Sequence, residues 1–335
     1  MSDRGRALNA LRWDGSPGHY EVWFLTLTDG ASGTGIWIRF AMHAPDHGPA
    51  DCSLWFVAMD PDGTRFATRR TFDSEALREV DGPARLVLAD AELSARGSAG
   101  AFDDVRWELR WNPAPAPGLP VHPLVERARL AKTMYVIPQP AIAIEGTVAF
   151  GGREIELSGA HGAQAHLWGA KHANQWGWTH AAALETLDGE PRPGDWIDGI
   201  SIVASRFGHE MGPNTSVVGR LLGEEFSATS PVSVLRATST SGISQYRAET
   251  RARNRRILFE VDAPRETLVG VTYDDPDGER LRCWNTEVAS MRLWVWDRAA
   301  RSASWMLRET LQAPGRACFE YAQRDPLADV PIHIA

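Results

Sequence analysis

Short runs of β-branched and aromatic residues, each closed by a turn sequence, recur along this chain and leave it few ways to fold. Tyr20–Thr28 alternates loosely and ends at Asp29-Gly30, and Gly35–Met42 answers it as the second arm of a hairpin. Cys52–Met59 closes on Asp60-Pro-Asp-Gly63, where proline and glycine preset the turn dihedrals; Thr64–Phe72 follows as a more polar strand. Arg85–Leu88 and Val105–Trp111 read as strands, the second alternating strictly. The same grammar resumes at Ala141–Phe150, Glu154–Ser158, Tyr246–Thr250, Arg255–Val261, Thr267–Tyr273 and Ser290–Trp296. Helical spacing is confined to a short stretch, Leu124–Leu130. A strand buries a face only against another layer, so the pattern predicts an all-β fold of antiparallel β-barrels or strongly curved sandwiches with few short helices.

At 335 residues the chain exceeds what one hydrophobic core usually serves, which predicts two such domains. Texture changes between Asn112 and Pro140. Asn112–Pro120 reads as a stiff, extended surface segment, because each proline fixes its own φ and restricts its neighbour, and Ile137-Pro-Gln-Pro140 reads as a second break. The expected domains are therefore 1–140 and 141–335, with a boundary nearer 210–240 as the alternative. The formal net charge of −8 offers no cationic surplus to neutralise phosphates, which excludes nucleic acid as a partner. No apolar run approaches the length of a membrane span, and Met1–Arg6 lacks the apolar core of a signal peptide. The expectation is a cytoplasmic protein without stable membrane insertion, and a homodimer is compatible with it. Cys52, Cys283 and Cys318 are widely spaced and odd in number, against a disulfide framework or a cysteine zinc site.

Between Gly159 and Glu185 lie four of the ten histidines (His161, His166, His172, His180) and three of the fourteen tryptophans (Trp168, Trp176, Trp178). Histidine exchanges protons near neutral pH, and indole supplies a rigid apolar wall with one donor. No His-x-His pair or His-Glu-x-x-His helix is present, so acid–base use is favoured over a metal centre, and no metal or cofactor is expected. Trp176 and Trp178 stand two apart and share a strand face; Gly169 and Gly177 beside the tryptophans suit close backbone approach. Lys171, one of only two lysines, falls inside the cluster. The Asp195–Asp198 region reads as loop chemistry unless it reaches the pocket. Asn285 and Glu287 alternate with Trp284, either presenting a polar side to a ligand or forming a solvent-facing strand edge.

Two motifs carry a resemblance. Glu21-Val-Trp23-Phe24 resembles the Glu-Trp-Trp-Tyr opening of the carotenoid 1,2-hydratase (hydroxyneurosporene synthase)/AttH-like family. Gly162-Ala-Gln-Ala-His166-Leu-Trp168-Gly169, followed by Trp176-Gly-Trp178, resembles that family's Gly-rich segment ending in Trp-Gly. Tocopherol cyclases and lipocalin-like Diels–Alderases are distantly similar. The resemblance implies two lipocalin-like β-barrel domains with an apolar substrate held near their junction. Where the family often carries acidic residues before Trp-Gly, this chain has Ala165 and Leu167, leaving His166 as the titratable group.

The expected activity is hydration, cyclisation or isomerisation of an apolar unsaturated small molecule (terpenoid, carotenoid-like, polyketide or steroid-like). His166 would transfer the proton, Lys171 and His172 would tune or relay charge, and Glu21 would orient a histidine. Trp23, Gln164, Trp168, Trp176, Trp178, His180, Asn285 and Glu287 would contact the substrate. The alternative is a non-catalytic carrier of a hydrophobic ligand.

Overall fold

A computed structural model describes residues 8–80, 85–127, 132–206, 209–327 and 330–335. The chain is 64% strand and 5% helix, in two antiparallel sheets of lipocalin-like form. The first sheet contains β1 (His19–Thr28), β2 (Gly35–Ala44), β3 (Asp51–Met59), β4 (Arg65–Asp73), β5 (Leu77–Val80), β6 (Arg85–Leu88), β7 (Ala91–Ser94), β8 (Gly97–Phe102), β9 (Val105–Trp111), β10 (Thr133–Phe150), β11 (Arg153–Glu156) and β12 (Ala160–Gly169). The second contains β13 (Gln175–Ala181), β14 (Glu185–Thr186), β15 (Trp196–Arg206), β16 (His209–Leu221), β17 (Glu224–Ala228), β18 (Thr238–Gly242), β19 (Gln245–Ala252), β20 (Arg255–Asp262), β21 (Val269–Asp274), β22 (Arg280–Asp297), β23 (Met306–Gln323) and β24 (Ile332–Ile334). The β21–β24 pairing is parallel. Two short helices, α1 (Pro123–Arg127) and α2 (Pro231–Arg236), lie outside the sheets; the rest of the expected helix, 128–130, lies outside the described residues. No described helix is long and apolar enough to cross a membrane.

Each sheet curls around its own core. Trp23, Leu25, Phe40, Phe56 and Trp107 fill the first, and Tyr246, Phe259, Trp284, Leu293 and Phe319 fill the second. A third apolar layer joins the sheets face to face: Val22, Phe24, Trp37, Trp55 and Val57 from the first pack against Trp176, Trp178, Val269, Val271 and Tyr273 from the second. Strands β1, β2 and β3 are thus covered on both faces, and nearly every residue in them is buried. Strand β9, with one face free, alternates buried and exposed throughout. The chain passes from the first sheet to the second between Gly169 and Gln175, whereas residue 140 falls inside β10 and 210–240 falls among strands of the second sheet.

Two proline readings are corrected. Pro138 and Pro140 sit within β10 and do not break it, because the β10–β12 ladder shifts register between Val136, Gln139 and Ile142. The segment after β9 is not simply surface: Ala114 is buried and donates its N–H to Gln139 Oε1 (2.6 Å), and Pro120 accepts from Ser216 Oγ (2.6 Å) of the second sheet.

Candidate active site

The fold divides the expected site residues between two opposite faces of the same strands, because neighbouring side chains on a strand point to opposite sides. Gln164, His166 and Trp168 on β12 share the interior of the first sheet with Glu21 and Trp23 on β1; the register sets Trp23 opposite His166 and Glu21 opposite Trp168. Trp23 stacks on His166 at 4.7 Å between ring centres, and Trp168 leans on the same imidazole, also at 4.7 Å. His166 Nε2 lies 2.8 Å from Glu21 Oε1, so Glu21 does orient a histidine, and His166 Nδ1 lies 2.6 Å from the Leu8 carbonyl. Both ring nitrogens are therefore engaged.

Glu21 is saturated as well. It accepts from the backbone N–H groups of Arg12 (2.8 and 3.0 Å) and Trp13 (2.9 Å), and His19 Nε2 stands 3.2 Å away. Burial pushes its carboxyl up, and hydrogen bonds with His166 and His19 more than reverse that, leaving it below the ordinary value. Gln164 exchanges two hydrogen bonds with Asn9 (2.8 and 2.9 Å), and Trp23 Nε1 donates to the Asn9 carbonyl (3.0 Å). The network fastens residues 8–13 to the first interior and leaves His166 no nitrogen to offer a substrate.

The other residues face the layer between the sheets. Trp176, Trp178 and His180 on β13 share that face, as their spacing predicted. Gly177, on the opposite face, is required there: a Cβ would lie 2.5 Å from Ser241 Cβ. Gly169 likewise brings its backbone close, with Lys132 O 2.2 Å from where a Cβ would stand. His180 is committed at both nitrogens, to Asp198 Oδ2 (3.1 Å) and the Pro140 carbonyl (2.8 Å). Asp198 Oδ2 also accepts from Trp178 Nε1 (2.9 Å) and Tyr135 Oη (3.0 Å), while its buried Oδ1 has no partner among the described residues. Asp198 therefore does reach the junction, on β15 beside His180.

His172 differs from both. It lies on the connection between the sheets, its side chain 8% exposed, and its ring stacks on Tyr20 (4.1 Å), Tyr273 (5.5 Å) and Trp176 (5.7 Å). Its Nδ1 is 2.6 Å from Asp275 Oδ1, and its backbone N–H donates to the same oxygen (2.9 Å). Arg324 Nη2 binds Asp275 Oδ2 at 2.6 Å. Burial raises Asp275, but hydrogen bonds from the His172 ring and backbone N–H and from Arg324 outweigh it and hold the carboxyl at about 2. Burial lowers His172, and Arg39 and Arg324 add to that effect against the raising influence of Asp275, so its net shift is downward. The neutral ring donates Nδ1–H to Asp275, which leaves the lone pair on Nε2; Nε2 has no hydrogen-bond partner among the described residues.

Trp176 connects this histidine to a carboxyl. Its Nε1 donates to Glu320 Oε2 (3.1 Å), and burial pushes Glu320 above its ordinary value, against the lowering influences of Trp176 and Arg39. Lys171 stands apart: its ammonium pairs with Asp277 (2.5 Å) and Glu279 (2.9 Å) on the surface turn after β21. Asn285 and Glu287 are buried in the junction, which rules out the solvent-facing strand edge. Neither amide atom of Asn285 has a partner among the described residues. Glu287 reaches across to the Thr26 hydroxyl, and burial pushes its carboxyl up to about 7. Among the described residues no three His, Cys, Asp or Glu side chains are placed to hold a metal ion.

Sequence reasoning missed Asp275, Arg324, Glu320, Tyr135 and Arg39. Glu320 alone left a trace: with Cys318 and Ala322 it holds alternate positions of a strand, a carboxyl on an otherwise apolar face.

Two curled sheets back to back, with acid–base and aromatic groups between them, define a two-domain lipocalin-like architecture. Solved structures share it: the AttH candidate from Nitrosomonas europaea (TM-score 0.56, 12% identity, covering 94% of this chain and 98% of that one) and kievitone hydratase from Nectria haematococca (0.52, 7%, 91% and 89%). CghA, whose structure is also known with Sch210972 bound, is similar at a TM-score of 0.54 and 11% identity, over 91% of this chain and 88% of that one. The AttH-like resemblance read from Glu21–Phe24 and Gly162–Gly169 is thus met at the level of the fold. In sequence the chain is 29% identical over 294 residues to the uncharacterized protein Rv0493c of Mycobacterium tuberculosis, covering 88% of this chain and 86% of that protein. No established family profile matches the chain.

Proposed function

We propose that this chain is an acid–base enzyme that uses its own side chains to hydrate, cyclise or isomerise an apolar, unsaturated small molecule held between its two sheets. The observation that carries this reading is His172: a buried, Asp-oriented imidazole with an uncommitted Nε2 on an aromatic wall. Its lowered pKa suits a base at neutral pH, and the raised pKa of Glu320, across Trp176, suits a general acid. In a hydration, Glu320 delivers a proton to one alkene carbon while His172 removes a proton from the water that adds to the other. Both groups then reset by proton exchange with solvent. Cyclisation and isomerisation use the same delivery and removal of a proton without net water. Asp275 and Arg324 position the base, and the Trp178–His180–Asp198 cluster walls the substrate. His166 and Glu21 act as a structural clasp. The hydratase among the fold's other owners supports the water-adding variant.

The test is turnover of a panel of polyene and steroid-like compounds, read by mass spectrometry as a gain of water or an isomer of unchanged mass. His172→Gln should lower kcat by at least roughly 100-fold, the usual worth of a positioned acid or base, with ligand affinity kept. Turnover that survives His172→Gln refutes the assignment. Tight binding with no turnover in the wild type identifies a carrier instead.

A further inference from the structure

Arg39, Trp55 and Arg69 form one row across β2, β3 and β4, with Arg39 opposite Trp55 and Trp55 opposite Arg69. Both guanidinium groups lie over the Trp55 ring, at 4.9 and 4.7 Å from its centre. Arg39 also stands 4.2 Å from the centre of Tyr273, which the second sheet brings across the junction. Arg39 is 7% exposed. Among the described residues neither arginine has a carboxylate within ion-pair distance or any hydrogen bond, and the Nε of each is enclosed without an acceptor.

That arrangement is costly unless something completes it. Aromatic faces attract a cation but accept none of the five N–H donors that a guanidinium presents. A buried charge is ordinarily paired, and here two like charges share one ring. The carboxylates that act on them from a distance are engaged elsewhere: Asp51 with His43 (3.6 Å), Asp274 with Arg280 (3.0 Å) and Glu320 with Trp176 (3.1 Å). Burial and the neighbouring Arg39 charge both depress Arg69 and outweigh the more distant Asp51 and Asp274. Position matters as well. Tyr273 touches Arg39 on one hand and stacks with His172 on the other, so an anion held by Arg39 lies one ring's breadth from the free Nε2.

We propose that Arg39 and Arg69 form an anion subsite at the sheet junction, which takes the carboxylate or enolate head of the substrate and so defines the substrate class as an apolar unsaturated acid. The substrate part of this inference rests on the acid–base reading above, whereas the subsite itself is testable without turnover. The probe pair is 2-naphthoate and its neutral counterpart 2-naphthalenemethanol, titrated into the full chain by calorimetry. Wild type should bind the acid at least ten-fold more tightly than the alcohol. Arg39→Gln should bring the two within two-fold, and Arg69→Gln, at a less buried position, should cut the preference several-fold in a protein whose near-UV circular dichroism is unchanged. Equal affinities in the wild type, no naphthoate binding at millimolar concentration, or a preference intact in both variants would overturn the subsite. His172→Gln separates the two ideas. It should leave the naphthoate preference untouched, so the subsite can stand if the catalytic reading falls, and the reverse.

Discussion

Glu287→Gln should make stability far less sensitive to pH across a range in which the native chain weakens. Glu287 is 2% exposed, its carboxyl meets the Thr26 hydroxyl of the opposite sheet, and Gly35 admits it so closely that a Cβ there would lie 2.6 Å from Glu287 Cβ. Burial pushes its pKa from 4.5 to about 7. Between those values the native state holds a proton that the unfolded chain has released. The associated stability is therefore complete below the lower value and is lost as pH rises through the higher one. Carried through linkage, it amounts to roughly 3 kcal/mol in full, most of which falls between pH 5 and pH 8. Glu320 is also shifted upward and adds a slope of the same sign, so the informative quantity is the difference between variant and wild type. Urea unfolding followed by tryptophan fluorescence at each pH supplies it. The stability of Glu287→Gln relative to wild type should climb by about 2–3 kcal/mol from pH 5 to pH 8. A difference constant to within about 0.5 kcal/mol over that range would refute the buried-proton argument.

Two further outcomes follow from the hydrogen-bond geometry. The pH profile of kcat/KM should have an acid limb as His172 gains a proton, lying below the ordinary histidine range, and an alkaline limb as Glu320 loses one. Asp275→Asn should move the acid limb and lower kcat by about ten-fold or more, because the orienting carboxylate is gone; an unchanged profile would remove Asp275 from the mechanism. Glu21→Gln should cost about 1–3 kcal/mol in urea unfolding, since it removes the carboxylate that binds the His166 ring and accepts from the Arg12 and Trp13 N–H groups, and should expose residues 8–13 to limited proteolysis.

The fold was legible because its strands are short and sharply punctuated, and the turn tetrapeptide Asp60–Gly63 does close a hairpin. The strands whose alternation was loosest, β1 to β3, proved to be those covered on both faces, so the blurred period was itself a sign of the junction. The prolines of β10 misled because a ladder that slips register tolerates missing donors, and slippage depends on the partner strand. Within the site, Trp176 and Trp178 followed from spacing alone. The difference between His166 and His172 could not, because it depends on saturation: His166 is closed by Leu8 and Glu21, more than 140 residues away, and His172 is oriented by Asp275, 103 residues away. Asp275 also opens the turn between β21 and β22, where an aspartate needs no further explanation.

The distribution of unsatisfied polar atoms separates the two faces of β1 and β12. In the first interior, Glu21, His166 and Gln164 have partners at every charged or ring atom that matters, and desolvation is offset on the spot. In the junction, Asp198 Oδ1, both amide atoms of Asn285 and the Nε of Arg39 are buried without partners among the described residues. Each such atom costs on the order of 1–3 kcal/mol, so four in one layer offset a large part of a domain's stability. A layer that served only to join two sheets would gain from leucine or valine at these positions, as it does at Val22, Val57 and Val271. The polar atoms are accounted for if the layer is built to be completed by something other than protein. Acceptors at Asp198 and Asn285 and donors at Arg39 and Asn285 then describe a molecule with a polar head and an apolar body, next to a histidine whose ring stacks on Trp176 and Tyr273 of the same layer.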